Sequence, residues 1–267
     1  MTRLDTTFLI QEPYEVYRAK SAEHLGSHRL SEFRKNPLLF HKKEQGMVPE
    51  EDRTAYLLGR AAHTLILEGR DVFETTYAVG GPVNPKTGER FGSRTKAFQD
   101  WADMQAKSVL TDEQAMLVER LHGSVRDHKH ARELLSQGVA EGVVRVEYVG
   151  TPCQARLDWL NPERGIVDLK TCDKLDWFEV EGRGFGYIHQ MAFYRALCAL
   201  VLGETVPVWF IVVEKQEPFR CGVWRVSEDV LAAAQKENEA ALRRLLNFRE
   251  TDVWPTGYEE VRVLDYL

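Results

Sequence analysis

Cysteine is scarce in this chain of 267 residues, and the four present are scattered. Cys153, Cys172, Cys198 and Cys221 lie 19, 26 and 23 residues apart. Without a Cys-x-x-Cys pair, a zinc ribbon or a clustered iron–sulfur centre is excluded. Reduced, mostly buried thiols in a cytosolic protein are the expected reading. With 19 glycines and 10 prolines, collagen-like and low-complexity classes are excluded as well. The longest apolar run, Val206 to Val213, is far below the roughly 18 residues a membrane helix needs. Met1 to Gln11 carries Arg3 and Asp5 around a short apolar patch, the pattern of neither a signal nor a transit peptide. A soluble, cytoplasmic protein with no membrane partner is expected.

An excess of positive charge is missing too. Lys and Arg total 35 against 41 Asp and Glu, a net charge of −6. Holding DNA by a blanket of basic residues is therefore excluded. A nucleic-acid partner would need basic side chains gathered locally, or metal ions in their place. No Gly-x-x-x-x-Gly-Lys-[Ser/Thr] loop is present, so ATP hydrolysis is not expected. Gly182, Gly184 and Gly186 lack the strand–turn–helix setting of a dinucleotide site, and no Gly-x-Ser-x-Gly elbow occurs.

What remains is 43% apolar and 10% aromatic, enough for a large core. Periodicity predicts helices over 30–43 (with Ser31 as a possible N-cap), 55–68, 94–106 opened by Ser93, and 111–135 opened by Thr111. A turn-rich segment spans 80–93. From Gly142 the period becomes two, predicting strands near 142–149, 153–160 and 165–170. A helix over 188–202, strands over 206–213 and near 220–226, and a last helix over 227–248 follow. The expectation is one α/β domain over 1–267, a mixed central sheet flanked by helices. Residues 1–140 form its mainly helical part, and 141–267 its sheet with the flanking helices.

Chemistry concentrates in residues 141–172. Val144, Val146 and Tyr148 alternate with Arg145 and Glu147; Cys153, Ala155, Leu157 and Trp159 alternate with Gln154, Arg156 and Asp158. A four-residue loop from Val149 to Pro152 predicts Tyr148 opposite Cys153 and Asp158 opposite Val143. Glu141 is then a diagonal neighbour of Asp158, about 7–8 Å away. A one-residue slip would set apolar against charged residues. On the next strand Asp168 and Lys170, two apart, project to one side, where Asp158 can join them. Carboxylates brought together are costly unless a cation neutralises them, and hard oxygen ligands suit Mg²⁺ or Mn²⁺. A lysine beside them can orient or deprotonate a water and offset charge on phosphate, which points to metal-assisted phosphodiester hydrolysis. A solvated polar sheet face with incidental ion pairs is the bland alternative.

The order of motifs resembles one superfamily. Gly59-x-x-x-His63-x-x-x-x-Glu68, a glutamate on the hairpin, Arg156-x-Asp158, Asp168-x-Lys170 and Gln190-x-x-x-Tyr194 are similar to the PD-(D/E)XK nucleases, which have a restriction-endonuclease-like core. The likeness is greatest to the nuclease domain of RecE (exonuclease VIII), and more distant to lambda exonuclease and the RecB nuclease domain. HRLSEFRKNPLLF, LGRAAHTLILEG, GIVDLKT and IHQMAFYRAL share in it. The resemblance implies Asp158, Asp168, the Leu169 carbonyl and His63 as ligands of Mg²⁺ or Mn²⁺, and Lys170 as catalytic lysine. By itself His63 reads as a core histidine among Ala61, Ala62 and Leu65.

The active-site glutamate is Glu141 or Glu147, with Glu141 the better match. Gln190 and Tyr194, four apart on one helix face, are expected beside the site as DNA contacts. Ser31 is either an N-cap or a phosphate contact, and matches a serine of the 5′-phosphate pocket in lambda relatives. Lys86, Arg90, Arg94 and Lys96 form a basic segment that could meet phosphates, Arg94 being the one singled out.

The implied activity is a Mg²⁺-dependent 5′→3′ exonuclease acting on double-stranded DNA ends and leaving a 3′ strand for phage-type recombination. A ring-shaped trimer or tetramer and a single-strand annealing partner are implied with it, in a bacterial or phage-infected cell. The chain is expected to be a stand-alone nuclease. Alternatives are a monomeric repair or CRISPR-adaptation nuclease, and an inactive DNA-binding or assembly subunit.

Overall fold

The structure is a computed structural model that describes residues 4–48 and 55–264. The chain begins with helices α1 (Tyr14–Ala19), α2 (Ser27–Lys35), α3 (Pro37–Glu44), α4 (Ala55–His63) and α5 (Arg70–Thr76). A small parallel pair, β1 (Tyr77–Val79) and β2 (Ser108–Leu110), brackets α6 (Lys96–Asp103). Helices α7 (Asp112–Asp127) and α8 (Lys129–Leu134) lead into β3 (Val139–Tyr148), β4 (Thr151–Asn161) and β5 (Gly165–Cys172). Helices α9 (Phe178–Phe185) and α10 (Tyr187–Leu202) cross to β6 (Val208–Glu214) and β7 (Cys221–Arg225), and α11 (Glu228–Thr251) closes the fold. The main sheet runs β3-β4-β5-β6-β7. Only β5 and β6 are parallel, joined by the helical crossover. This is the expected mixed sheet flanked by helices.

Among the described residues, no helix is long and apolar enough to cross a membrane.

Both faces of the sheet are covered. Ile166, Phe210 and Val212 pack with Leu30, Phe33, Met191, Leu197, Leu242 and Leu245 from α2, α10 and α11. Val167, Leu169, Ile211 and Val213 pack with Leu121, Val125 and Leu134 from α7 and α8 on the other side. A central strand buried on both faces needs a nearly unbroken apolar run. In β5 the run Ile166-Val167-x-Leu169 is broken by Asp168 and followed by Lys170 and Thr171.

Three expected helices are divided or shifted by local chemistry. Asn36 precedes a proline, which pushes it into extended backbone (φ −156°). Its side chain accepts from the Leu39 N–H, with Pro37 opening the next helix. The stretch 30–43 is therefore two helices. His128 likewise leaves helical backbone and caps α8 through Nδ1, dividing 111–135. Thr95 rather than Ser93 opens α6. Thr111 caps α7 as expected, in a reciprocal capping box with Gln114.

The β3–β4 register also differs from expectation, by two residues. Val149 and Gly150 form a two-residue turn with both φ positive (51° and 70°). This is the geometry tight hairpins favour. Tyr148 consequently faces Thr151, Val146 faces Cys153, and Val143 faces Arg156 rather than Asp158. A slip of two keeps every side chain on its face, so the alternation stands while the partners change. Val149 is an unfavourable residue at positive φ, which is why the sequence favours the longer loop.

Pairing between β4 and β5 is short. Only Trp159, Leu160 and Asn161 meet β5, at Val167, Ile166 and Gly165. Beyond that the two strands part, while β5 stays paired with β6 through Cys172. Nearer the hairpin, Leu25 bonds to the β4 backbone at Pro152 and Gln154. The result is an open wedge between two strands of an otherwise continuous sheet.

Gly165 stands at the closed end of this wedge with φ +95°, and a Cβ there would lie 2.2 Å from the Pro207 carbonyl oxygen. Gly165→Ala is expected to cost on the order of 3 kcal/mol or more. Urea denaturation measures it; a midpoint equal to that of the parent protein contradicts this packing.

Candidate active site

The wedge collects the ionisable residues. Leu169 has lost its β4 neighbour, and its N–H needs an acceptor. The Asp158 carboxylate supplies one, Oδ2 accepting at 2.9 Å. One hydrogen bond thus fixes Asp158 across the gap from β5. Alternation along β4 resets here: Leu157 and Leu160 both join the α10-side core, and Trp159 the other. On β3, Glu141 has φ +55°, an uncommon conformation for a residue with a side chain. The two-residue shift puts Glu141 directly across from Asp158 instead of diagonal to it.

His63 arrives from the end of α4. Its Nδ1 lies 3.5 Å from Asp158 Oδ2, and His63, Glu141 and Asp158 present ligand atoms all within 4.8 Å of one another. Directly after His63 the helix widens into a π turn, Thr64–Glu68, with the Gly69 N–H bonded to the Thr64 carbonyl. Such widened turns are frequent at functional sites. They are not visible in apolar periodicity.

Asp168 is 1% exposed. Lys170 Nζ lies 2.6 Å from its Oδ2, yet neither carboxylate oxygen has a well-directed hydrogen bond. A buried carboxylate left in this state is costly. Glu141, by contrast, is held by Arg156, whose Nε is 3.1 Å from Oε2. The Arg156 guanidinium also lies over the Tyr14 ring, at 5.3 Å. Glu147 is exposed, opposite Pro152, away from the cluster.

Electrostatics follow from this crowding. Burial raises Asp168 to about 6, against the pull of Lys170. Burial also raises Asp158, and burial with the Asp158 charge raises Glu141. Burial, helped by Lys170, lowers His63 to about 4, so its imidazole is neutral and free to act as a ligand at neutral pH. For Lys170 burial pulls downward, but Asp168 and Asp158 together outweigh it and the net direction is up. Lys170 therefore stays an ammonium.

Gln190 and Tyr194 line the α10 side of the wedge. Gln190 Nε2 donates to Tyr194 Oη at 3.0 Å, and burial holds the Tyr194 phenol well above its ordinary pKa. The sequence reading missed Tyr187, whose ring lies 4.8 Å from Lys170 Nζ. Its spacing from Gln190 and Tyr194, three and seven residues, is the signal that could have found it. The sequence places Arg156 on the polar strand face and in the Arg-x-Asp motif, but its pairing with Glu141 depends on the register.

Ser31 is not an N-cap. α2 starts at Ser27 after Gly26, which leaves Ser31 in mid-helix. It lines a cavity of about 370 Å³ with Arg34, Lys35, Arg183, His189, Arg244 and the carboxylate of Glu237 at the α9–α10 junction. Arg94 and Lys96 are exposed at the start of α6. Arg90 is bound to Asp112 and, at 2.7 Å, to the Gly81 carbonyl. Among the described residues, none of this basic segment contacts the carboxylate cluster.

The donor set fits a hard divalent cation. Carboxylate oxygens and a neutral imidazole are suitable ligands, and the unsatisfied Asp168 oxygens are what such an ion would satisfy. His63, Glu141, Asp158 and Asp168 would hold it. The raised carboxylate pKa sets the sign of a test. Asp168 favours the folded state below about pH 4, and that contribution is gone once pH has risen through about 6. Above pH 6 the unneutralised cluster is most costly, and a cation gains most. Saturating Mn²⁺ is expected to raise the Tm of chelator-treated protein by about 5–10 °C at pH 8 and by much less at pH 5. Scanning calorimetry checks it; an equal shift at both pH values, or none, contradicts it.

Known proteins bear on this geometry in three ways. A search of curated proteins gives no match. A crystal structure from Eubacterium rectale, named "Putative exonuclease", has 19% identity and a TM-score of 0.68, covering 97% of this chain and 96% of that one. A phage-related exonuclease from Haemophilus somnus has 14% identity and a TM-score of 0.38 over 86% of this chain and 96% of its own. At these identities the first similarity shows the fold, and the second carries no argument. A family model, the PDDEXK-like domain of unknown function (DUF3799), matches residues 27–266. The sheet, the wedge and this match together place the chain in that family of PDDEXK-like domains.

Proposed function

We propose that this protein is a Mg²⁺-dependent deoxyribonuclease that digests linear duplex DNA from its ends, 5′ to 3′. The observation that carries the reading is the buried wedge. Asp158, Asp168, Glu141 and His63 converge there beside Lys170, and the Asp168 oxygens lack a well-directed hydrogen bond. Mn²⁺ is expected to substitute for Mg²⁺.

A bound divalent cation in such a site supplies Lewis-acid polarisation of a phosphate oxygen and lowers the pKa of water. The remaining work falls to the chain. Asp158 is fixed by the Leu169 N–H, so its carboxylate is positioned before substrate arrives. Lys170, kept as an ammonium, donates to an oxygen at the reacting centre and offsets developing negative charge. The Leu169 carbonyl is a further ligand in this reading. Arg156 holds Glu141 in place and limits the repulsion between Glu141 and Asp158. On the DNA side, Gln190 and Tyr194 border the wedge, and Ser31 with its neighbouring cations offers a phosphate site. Arg94 contacts DNA further out.

The direction of digestion, the preference for ends and the role in phage-type recombination rest on the resemblance to RecE and lambda exonuclease. The same holds for the ring of three or four copies, the annealing partner and the cytoplasmic setting. A ring suits the net charge of −6, since basic residues would line its bore.

Digestion of duplexes labelled at either 5′ or 3′ ends tests the reading. Release of nucleotides in Mg²⁺, starting from the 5′ end, is expected. Asp168→Ala and Lys170→Ala should each lower the rate by about 10²-fold or more. DNA binding without cleavage in Mg²⁺ or Mn²⁺ would show instead a non-catalytic subunit, and release from the 3′ end would overturn the direction.

A further inference from the structure

The junction between α9 and α10 carries a feature the cleavage reading does not use. α9 ends at Phe185, and Gly186 turns the chain in left-handed backbone (φ +78°) before α10 begins at Tyr187. Phe185 is 61% exposed, a large apolar ring left in water. It is not isolated. Its ring stacks on Tyr187 at 5.5 Å between centroids and 29° between planes. Tyr187 in turn stacks on Phe178 at 6.1 Å and lies over Lys170 Nζ at 4.8 Å. The pair is thus braced from below by the core and reaches the reactive lysine.

The same turn borders the cavity at Ser31. Arg183, Gly184 and Gly186 line it, opposite Ser31, Arg34, Arg244 and one carboxylate, Glu237, which pairs with Arg34 at 3.5 Å and His189 at 2.7 Å. Arg183, Lys35 and Arg244 leave the lining cationic on balance. Lys35 Nζ donates to the Gly184 carbonyl at 3.3 Å, which ties the turn to α2. Over five residues the chain therefore presents Arg183 toward the cavity, an exposed aromatic face at Phe185 and Tyr187 against Lys170. That order matches one nucleotide unit: an anionic phosphate, a flat base, and the bond to be broken. Aromatic rings bind any base by its π face, which makes them sequence-tolerant holders of unpaired strands.

We propose that Phe185, braced by Tyr187, is a stacking platform for a nucleobase of an unpaired strand end whose phosphate lies in the Arg34–Arg183–Arg244 cavity. The inference rests on the nuclease reading and adds how the substrate is held. Phe185 orients the strand so that the scissile phosphate meets Lys170, and it takes no part in proton transfer. It favours ends that fray, because the base must leave its own stack first.

A duplex carrying 2-aminopurine as its terminal base tests the platform. The Asp168→Asn background prevents cleavage, so binding is read by fluorescence alone. Binding is expected to change the 2-aminopurine signal, and Phe185→Ala to abolish that change. In the cleaving protein, Phe185→Ala should raise KM roughly 5- to 100-fold with kcat nearly unchanged, while Phe185→Trp restores both readouts. Because Phe185 is exposed, the alanine variant is expected to fold normally, which circular dichroism verifies. A wild-type signal and KM in Phe185→Ala would overturn the proposal. So would a loss of oligomer mass in that variant by sedimentation, which would assign the ring, with exposed Trp177 and Val180 nearby, to an interface between copies. If the parent protein cuts no DNA but the fluorescence change still depends on Phe185, the cleavage reading fails and the base contact stands.

Discussion

The bond from the Leu169 N–H to Asp158 is the hinge of this architecture. β4 and β5 pair over three residues and then separate, and the backbone donor exposed by that separation is satisfied by a side chain instead of a strand. The carboxylate that satisfies it is thereby locked into the gap. Asp168 follows on the same strand, Glu141 stands across from Asp158, and His63 reaches in from α4. Sheet pairing and helix packing set these positions, with two departures from regular geometry, Glu141 at positive φ and the π turn after His63. Together they create a cluster of negative charge that is not stable on its own terms. Burial raises the carboxylates and lowers His63, and the two cations at hand, Lys170 and Arg156, offset only part of the cost. Asp168 keeps both oxygens without a directed donor. The protein has placed a charge deficit at one point, and a divalent cation is the natural complement.

The surroundings divide the labour. The α7 and α8 side of the sheet is a dry layer behind Val167 and Leu169. The α10 side carries Gln190, Tyr194 and Tyr187, side chains with polar tips on apolar bodies. That asymmetry explains how β5 can be buried on both faces and still present Asp168 and Lys170 to a reacting group. Arg34, Lys35, Arg183 and Arg244 gather around Ser31 and the α9–α10 turn, with Glu237 among them.

Much of this was legible in residues 141–172. The alternation assigned Asp158, Asp168 and Lys170 to one region, and the order of motifs, from His63 to Tyr194, suggested the fold. The sequence did not reveal the partners. The expected four-residue loop from Val149 to Pro152 sets the hairpin two residues out of register and Glu141 diagonal to Asp158; the actual two-residue turn requires Val149 at positive φ, which its branched side chain disfavours. Helix breaks at Asn36 and His128 depend on side-chain caps that hydrophobic periodicity does not register. The N-cap alternative for Ser31 falls because α2 starts three residues earlier than Leu30, at Ser27. The π turn after His63 and the stacking of Phe185 on Tyr187 across the Gly186 turn are local geometries, but apolar periodicity carries little trace of either.

A cation position bears most directly on the central claim. Crystals soaked in Mn²⁺ and measured at its absorption edge locate the ion by anomalous scattering. The account predicts a single strong peak within about 2.1 Å of oxygens from Asp158 and Asp168, beside the Leu169 carbonyl. A fully occupied peak elsewhere on the molecule, with none in the wedge, would contradict it.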